Sequence, residues 1–369
     1  MIRVAYLLTQ DRGGPVDVTV TLAAALIASG QAEVRVFGPP PARRAELLAG
    51  HHEPISVPRK GDLAAARRAV AALRAWRPDI LHAQDRRAGL VTAGLRFRHP
   101  VVQTYHGVPD DVAESWFLGA RRPPPSVYTR AVLTGDALVA RTATRTVVPS
   151  AAMGRFLRRR LRVPADRLAQ IDNCVPLPDC APPAGPVRSL AFVGLLVPRK
   201  GLLQLLDALA MPGTMPPDAT LTVIGDGPQR TEAERRAARR ELAGRVTFLG
   251  FRADVADLLR QHDALVLPST MEQQPLVIAE AMAAGKPVVA TNTGGVADML
   301  AVPGGASYLA PPGDVPALAE RLRALLADPD PARTGRLLAA RARERFAPEA
   351  GARRHLALYR ELLALSRAV

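Results

Sequence analysis

The chain has 369 residues, more than one compact core usually holds, so we expect two domains. Hydrophobic residues make up 48% and charged residues 22%, and no apolar run is long enough for a membrane-spanning helix. The formal net charge is +15, and residues 1–188 hold 27 basic and 15 acidic residues. The densest basic cluster, residues 155–162, lacks an aromatic stacking platform or a DNA-binding motif, so we expect no nucleic-acid partner.

The cysteines and the N-terminus bear on the compartment. Cys174 and Cys180 are the only two cysteines, too few for a disulfide framework, and they lack the spacing of a zinc site. Residues 1–10 have no basic segment before a long apolar stretch, so they predict a first strand rather than a signal peptide. We therefore expect a cytoplasmic protein.

Strand-like and helix-like segments alternate through the first half of the chain. Gly13-Gly14 separates the first strand from an apolar-periodic helix that ends at Gly30. Strands are predicted at residues 33–38, 79–84, 100–107 and 137–150, and helices at residues 62–76 and 151–161. This order predicts βαβ units and a mainly parallel sheet covered on both faces.

A proline-rich stretch divides the chain. Residues 176–188 contain five prolines and no apolar period, which is typical of a linker. A second alternating series follows, with strands starting near residues 189, 219, 245, 264, 286 and 306, and the segment 333–366 is predicted to be helical. We expect an N-terminal Rossmann-like domain over 1–180, a second over 181–350, and a C-terminal helix over 351–369 that packs back toward the first domain. Ligands of such doubly wound sheets bind at the carboxyl ends of strands.

The most informative local feature is a pair of glutamates after the strand at residues 264–269. Glu272 lies in the predicted strand-to-helix loop, Pro275 suits the first turn of the next helix, and Glu280 lies about a turn and a half into it. A carboxylate accepts two hydrogen bonds, which suits the vicinal diols of a ribose or a hexose. The free N–H groups at the helix start would favour a phosphate. Taken alone, a helix-capping and a solvated glutamate explain the pair equally well.

Three further segments favour a ligand site. Lys200 stands between a strand and a helix, where a diphosphate would lie, and Gly201 follows it. Gly294-Gly295 and Gly13-Gly14 are turns through which the backbone can approach a ligand.

These residues and their order resemble the family-4 retaining glycosyltransferases of the GT-B fold. The resemblance extends over nearly the whole chain: Glu272 and Glu280 match the family's Glu-x7-Glu element, and Lys200-Gly201 its phosphate-binding lysine. The segments LHAQ and TYHG match the family's HAH-like strand and the strand that delivers a cleft histidine, here His106. The resemblance implies two doubly wound Rossmann-like domains facing a central cleft.

It also implies roles for individual residues. The groups closest to the chemistry would be Lys200 on the leaving diphosphate, Glu272 on the transferred sugar and His106 beside that sugar. Glu280 would hold the ribose. The remaining donor-binding residues would be Gly13, Gly14, Arg199, Phe251, Arg252, Gln274, Pro275, Leu276, Gly294 and Gly295. The donor would be a nucleotide sugar, UDP- or GDP-linked, with no metal and no other cofactor, since cationic side chains and helix N-termini replace the cation.

The chain departs from the family pattern at several positions. Leu195 stands where the family commonly has an arginine, and Arg199 is a candidate substitute. The loop after Glu272 reads Gln-Gln-Pro where Gly-Phe-Pro-like residues are usual. These departures leave a catalytically silent sugar-nucleotide-binding subunit as an alternative. A NAD-dependent enzyme is disfavoured, because Gly13-Gly14 lacks the spaced three-glycine fingerprint.

The acceptor side gives a weaker signal. Asp110, Asp111 and Glu114 follow His106 in an otherwise basic domain. They either pair with nearby arginines or bind an amine-bearing acceptor such as an aminocyclitol or amino sugar. The alternative is a membrane-associated enzyme with a phosphorylated or lipid acceptor. Helix 62–76 carries arginines suited to a membrane surface, which supports this alternative. The alanine-rich face of the same helix instead favours packing on the sheet. We expect a monomer or a homodimer.

Overall fold

The computed structural model of the protein describes residues 1–59, 61–108 and 126–367. Its strands are β1 (Ile2–Leu7), β2 (Ala32–Gly38), β3 (His52–Pro54), β4 (Ile80–Ala83), β5 (Val101–Thr104), β6 (Arg145–Val148), β7 (Leu168–Gln170), β8 (Ser189–Val193), β9 (Thr220–Ile224), β10 (Val246–Gly250), β11 (Ala264–Leu267), β12 (Val288–Thr291) and β13 (Tyr308–Ala310). Its helices are α1 (Gly14–Ala28), α2 (Leu63–Trp76), α3 (Arg86–Thr92), α4 (Val127–Thr142), α5 (Ala151–Arg159), α6 (Leu202–Leu209), α7 (Arg230–Ala237), α8 (Val255–Gln261), α9 (Leu276–Ala283), α10 (Val296–Leu300), α11 (Val315–Leu326), α12 (Pro331–Phe346) and α13 (Pro348–Arg367).

These elements form two compact units. The N-terminal unit consists of residues 1–108, 126–176 and 345–367, and the C-terminal unit of residues 177–344. Each unit contains one parallel sheet, with strand order β3-β2-β1-β4-β5-β6-β7 in the first and β10-β9-β8-β11-β12-β13 in the second. The fold is α/β, with the doubly wound sheet predicted for each half of the chain.

Several helix starts follow directly from the sequence. The side chains of Asp62, Asp85, Ser126, Ser150 and Asp314 each accept a hydrogen bond from the backbone N–H three residues later, which caps α2, α3, α4, α5 and α11. In this way polar residues at the end of a loop fix where the next helix begins.

The sheet of the N-terminal unit is covered on both faces. One face packs against α1 and α13 through a cluster that includes Tyr6, Leu22 and Tyr359. The other face packs against α2 and α3 through a cluster that includes Leu73 and Ala88. The C-terminal helix α13 is thus part of the core of this unit.

Within the described residues, no helix combines the length and apolarity needed to cross a membrane.

Three local features differ from the sequence-based expectation. The three-residue strands β3 and β7 extend the first sheet at its two edges, and they were too short to produce a recognisable pattern. The helical segment 333–366 is two helices that separate at Ala347, just before Pro348. Pro275 lies immediately before α9 rather than inside its first turn, with extended backbone geometry.

In both sheets the winding direction reverses once, between β1 and β4 in the first and between β8 and β11 in the second. A reversal of this kind leaves a crevice at the carboxyl ends of the two strands, where ligands of doubly wound folds bind.

Candidate functional site

Lys200 and Glu272 meet at the reversal point of the C-terminal sheet. Lys200 follows β8 and Glu272 follows β11, and these strands are neighbours. The Lys200 Nζ donates to Glu272 Oε1 over 2.5 Å, and the two side chains are only 14% and 9% exposed. A charge pair this well shielded from solvent interacts more strongly than a surface pair.

Close backbone contacts fix the two loops that carry this pair. Thr270 donates its N–H to the carbonyl oxygen of Arg199 over 2.8 Å. Gly201 has a φ of 73°, and a β-carbon there would lie 2.1 Å from the carbonyl oxygen of Pro268. Glycine is therefore required beside Lys200 for two reasons, the left-handed backbone and the lack of space.

The turn after β12 is fixed against the same loop. Gly295 donates its N–H to the carbonyl oxygen of Gln273 over 2.8 Å, and the Cα of Gly294 packs on the backbone of Glu272. Three loops from adjacent strands therefore hold one another at this edge of the sheet.

The other predicted donor-side residues divide into two groups. Glu280 is the fifth residue of α9 and half-buried, Gln274 is buried, and Pro275 and Leu276 form the junction between loop and helix. These residues are continuous with Glu272 along the chain. Together they line the entry into α9, whose first N–H groups have no partner within the helix.

Leu195, Phe251 and Arg252 are exposed. Phe251 and Arg252 follow the edge strand β10, which β9 separates from β8. Arg252 forms a two-bond ion pair with Asp254, at 2.6 Å and 2.8 Å. The structure does not bring these two residues into contact with Glu272 or Lys200.

The N-terminal unit has a pocket of about 360 Å³ at its own reversal point. It lies at the carboxyl ends of β1, β4 and β5, and its lining includes Thr9, Gln84, Asp85, Arg86, Thr104 and His106. Gly13 and Gly14 are exposed at the start of α1, and Gly13 has a φ of 100°, which favours glycine.

His106 is held by a hydrogen bond of 3.0 Å between its Nε2 and the Oε1 of Gln84. Burial, with a smaller contribution from His355, lowers the pKa of His106 to about 4. The imidazole is therefore neutral at physiological pH. Its one proton is on Nε2, which donates to the amide oxygen of Gln84, so Nδ1 can accept one further hydrogen bond.

The polar residues that shape this pocket were not predicted from the sequence. Asp85 accepts hydrogen bonds from Thr9 N–H at 2.6 Å and Thr9 Oγ1 at 2.7 Å, which ties the ends of β1 and β4 together. Arg86 pairs with Asp136 at 2.9 Å and donates to the carbonyl oxygen of Gly107 at 2.8 Å, just beyond His106. Their position after buried strands was the available signal, since the carboxyl ends of parallel strands share one edge.

Asp110, Asp111 and Glu114 lie outside the described residues. Among the residues that the structure does describe, no group of three or more His, Cys, Asp or Glu side chains is placed to hold a metal ion.

Comparison with known protein families agrees with the two-unit α/β fold. The model of the family Glycosyl transferases group 1 matches residues 187–328, and that of Glycosyltransferase Family 4 matches residues 12–178. The crystal structure of HepE from Anabaena, in complex with UDP and glucose, superimposes with a TM-score of 0.78 at 23% identity, covering 98% of this chain and 100% of that one. This likeness shows the GT-B fold. The two family matches, which together extend over most of the chain, show that the chain belongs to the family-4 glycosyltransferases.

Two sequence relatives show the breadth of the family. Glycogen synthase of Mycobacterium tuberculosis is 30% identical over 265 residues, or 69% of this chain and 62% of that protein. The 2-deoxystreptamine glucosyltransferase of Streptomyces kanamyceticus is 36% identical over 151 residues, or 40% of this chain and 38% of that protein. The aligned parts thus span less than two thirds of either relative.

Proposed function

We propose that the protein is a retaining glycosyltransferase that moves a sugar from a UDP- or GDP-linked donor to a hydroxyl of a small polar acceptor. The observation that carries the proposal is the shielded Lys200–Glu272 pair at the reversal point of the C-terminal sheet. It combines a cation suited to a diphosphate with a carboxylate suited to sugar hydroxyls, at the edge where doubly wound folds bind nucleotides.

The donor-side chemistry is electrostatic. Lys200 neutralises the charge that develops on the departing nucleoside diphosphate, and the N–H groups at the start of α9 add partial positive charge. Glu272 accepts hydrogen bonds from the transferred sugar, and Glu280 from the ribose. No metal ion is required in this scheme, because side chains and helix dipole supply the positive charge.

The acceptor-side chemistry needs no dedicated base. The acceptor oxygen attacks the anomeric carbon on the face from which the diphosphate leaves, and a phosphate oxygen takes the acceptor's proton. The bond to the diphosphate breaks and the new glycosidic bond forms on the same face of the sugar, so the anomeric configuration is retained. His106, neutral in the folded protein, orients the sugar by a hydrogen bond.

For the acceptor we propose an amine-bearing molecule, an aminocyclitol or an amino sugar. Asp110, Asp111 and Glu114 supply carboxylates after His106 in the sequence, and the similarity to a 2-deoxystreptamine glucosyltransferase supports the same class. The net positive charge of residues 1–188 would instead suit an anionic lipid, and Leu195 would suit a silent subunit.

Two steps test the proposal. Thermal shift against UDP, GDP, ADP and dTDP identifies the nucleotide, and the corresponding glucose and mannose donors are then supplied with an acceptor panel. The panel contains 2-deoxystreptamine, myo-inositol and phosphatidylinositol vesicles, and NMR of the product gives its anomeric configuration. The expected result is turnover of 2-deoxystreptamine with retention of the anomeric configuration. Turnover only on vesicles would overturn the proposal of an amine-bearing acceptor.

Matched variants separate an enzyme from a binding subunit. Glu272→Gln is expected to lose turnover. Glu232→Gln removes the charge from two surface ion pairs on α7, with Arg235 and Arg236, and is expected to keep turnover. Nucleotide binding without turnover of the donor, even by water, would contradict the transferase assignment.

A further inference from the structure

A chain of four buried polar side chains crosses the core of the N-terminal unit and ends at its pocket. The hydroxyls of Tyr6 on β1 and Tyr359 on α13 lie 2.7 Å apart. The Tyr359 hydroxyl lies 2.7 Å from Nδ1 of His82 on β4, and Nε2 of His82 lies 2.7 Å from Oγ1 of Thr104 on β5. Of these four side chains, Thr104 is the one that lines the pocket.

The number of protons in this chain is limited. His82 is fully buried, and desolvation, with His355 and His106 nearby, lowers its pKa well below the usual value. The neutral ring carries one proton, so one nitrogen donates and the other accepts. If Nε2 carries the proton, Tyr359 donates to Nδ1 and Tyr6 donates to Tyr359, so all three hydrogen bonds run from Tyr6 toward Thr104. If Nδ1 carries it, Thr104 donates to Nε2 and the bonds run from Thr104 toward the tyrosines.

The Tyr6 end and the Thr104 end of this hydrogen-bonded series differ in whether the terminal hydroxyl proton has an acceptor. If the bonds ran toward Tyr6, the Tyr6 O–H would need another acceptor. Tyr6 is fully buried, and among the described residues its hydroxyl has Tyr359 as its one hydrogen-bond partner. A buried hydroxyl without an acceptor is costly. If the bonds run toward Thr104, the remaining proton belongs to a residue at the pocket, where water or a ligand can accept it.

We propose that Thr104 is a specificity-determining residue that donates its hydroxyl proton to an oxygen atom of the molecule bound in this pocket. Tyr6, Tyr359 and His82 are positioning residues, which act by keeping the oxygen of Thr104 occupied by the His82 N–H. The pocket therefore selects a ligand that presents a hydroxyl, ether or other acceptor oxygen at this point. The identity of that molecule as the sugar acceptor rests on the proposed function. The direction of the hydrogen bonds between Tyr6 and Thr104 does not depend on it.

The direction can be measured without substrate. In deuterated protein labelled with ¹⁵N in histidine, the nitrogen shifts of His82 show which ring atom carries the proton. The proposal requires the proton on Nε2, as the donor to Thr104. A proton on Nδ1, on both nitrogens, or spread between the two tautomers would overturn it.

Two tyrosine variants form a matched pair for this experiment. In Tyr6→Phe, Tyr359 still donates to His82, so the proton is expected to stay on Nε2. In Tyr359→Phe, Nδ1 loses its donor, and a mixture of tautomers is expected. A switch of tautomer in Tyr6→Phe would mean that Tyr6 had been the final acceptor, and would overturn the proposal even if Tyr359→Phe failed to fold.

The pocket end is tested by the acceptor KM. With 2-deoxystreptamine as acceptor, Thr104→Val is expected to raise KM about tenfold with little change in kcat, and Thr104→Ser to restore it. An unchanged KM in Thr104→Val would overturn the role of the hydroxyl. Failure of the wild-type protein to turn over any acceptor of the panel would contradict the proposed function instead, and the tautomer of His82 would then decide the proposal alone.

Discussion

The backbone oxygen of Glu272 occupies the space that a β-carbon on residue 294 would need. A β-carbon built on Gly294 would lie 1.9 Å from that oxygen, and the residue has a φ of 58° in the left-handed region. The loop that carries the carboxylate and the turn after β12 are therefore mutually dependent. Glu272 keeps its position only with glycine opposite it.

We predict that Gly294→Ala weakens donor-nucleotide binding at least tenfold, because relief of the clash displaces the loop backbone at Glu272 and Gln273, which leads to the phosphate-binding N–H groups at the start of α9. Gly213→Ala is the control, since Gly213 also has a positive φ of 70° but a β-carbon there would meet nothing within 4 Å. Both variants should lose about 1–2 kcal/mol from the left-handed backbone. Calorimetry with the nucleotide found by thermal shift makes the comparison, and equal affinities in the two variants would contradict the prediction.

Lys200→Ala is predicted to lose far more activity than Arg199→Ala. Loss of a charge-assisted hydrogen bond to the leaving phosphate costs about 1.5–3 kcal/mol, or roughly ten- to a hundredfold in rate. Arg199 contributes its carbonyl oxygen to the loop, a contact that the alanine variant retains. Initial rates and melting temperatures of both variants are compared. Full turnover in Lys200→Ala would exclude a role for Lys200 in stabilising the diphosphate.

Glu272 and Glu280, the two glutamates of the Glu-x7-Glu element, are predicted to affect different steps. Glu280→Ala should weaken nucleotide binding, because the ribose loses its carboxylate, whereas Glu272→Ala should mainly lower turnover. Calorimetry with the nucleoside diphosphate and steady-state kinetics separate the two effects. Unchanged nucleotide affinity in Glu280→Ala would exclude the ribose assignment.

The alternation of apolar runs and helical periods was sufficient to predict the α/β class and a mainly parallel sheet in each half of the chain, since each pattern is local. The contacts of Lys200 with Glu272, and of Gly294 with the backbone beside it, depend on strand order, which no local pattern encodes. The same limit applies to Tyr359. It lies 277 residues from His82 in sequence, and only the packing of α13 on the first sheet brings the two together.

The buried histidines of the N-terminal unit predict how stability changes with pH. Burial lowers the pKa of His355 and of His106 to about 4, and that of His82 well below its usual value. An unfolded histidine titrates near 6.5, so between about pH 6.5 and 4 the unfolded chain binds protons that the folded chain does not. The free energy of unfolding should therefore fall as the pH drops through this window, by up to about 1.4 kcal/mol per pH unit for each histidine.

Urea unfolding followed by tryptophan fluorescence measures this slope, because Trp76 lies in the N-terminal unit. His355 is 5% exposed, and its Nδ1 donates to the carbonyl oxygen of Gly351 over 2.8 Å. His355→Asn should lower stability equally at pH 7 and 8, through lost packing, but should flatten the decline between pH 6.5 and 5, because one titrating group is gone. An identical slope in the variant and the wild-type protein would mean that His355 binds its proton equally well in the folded and unfolded states.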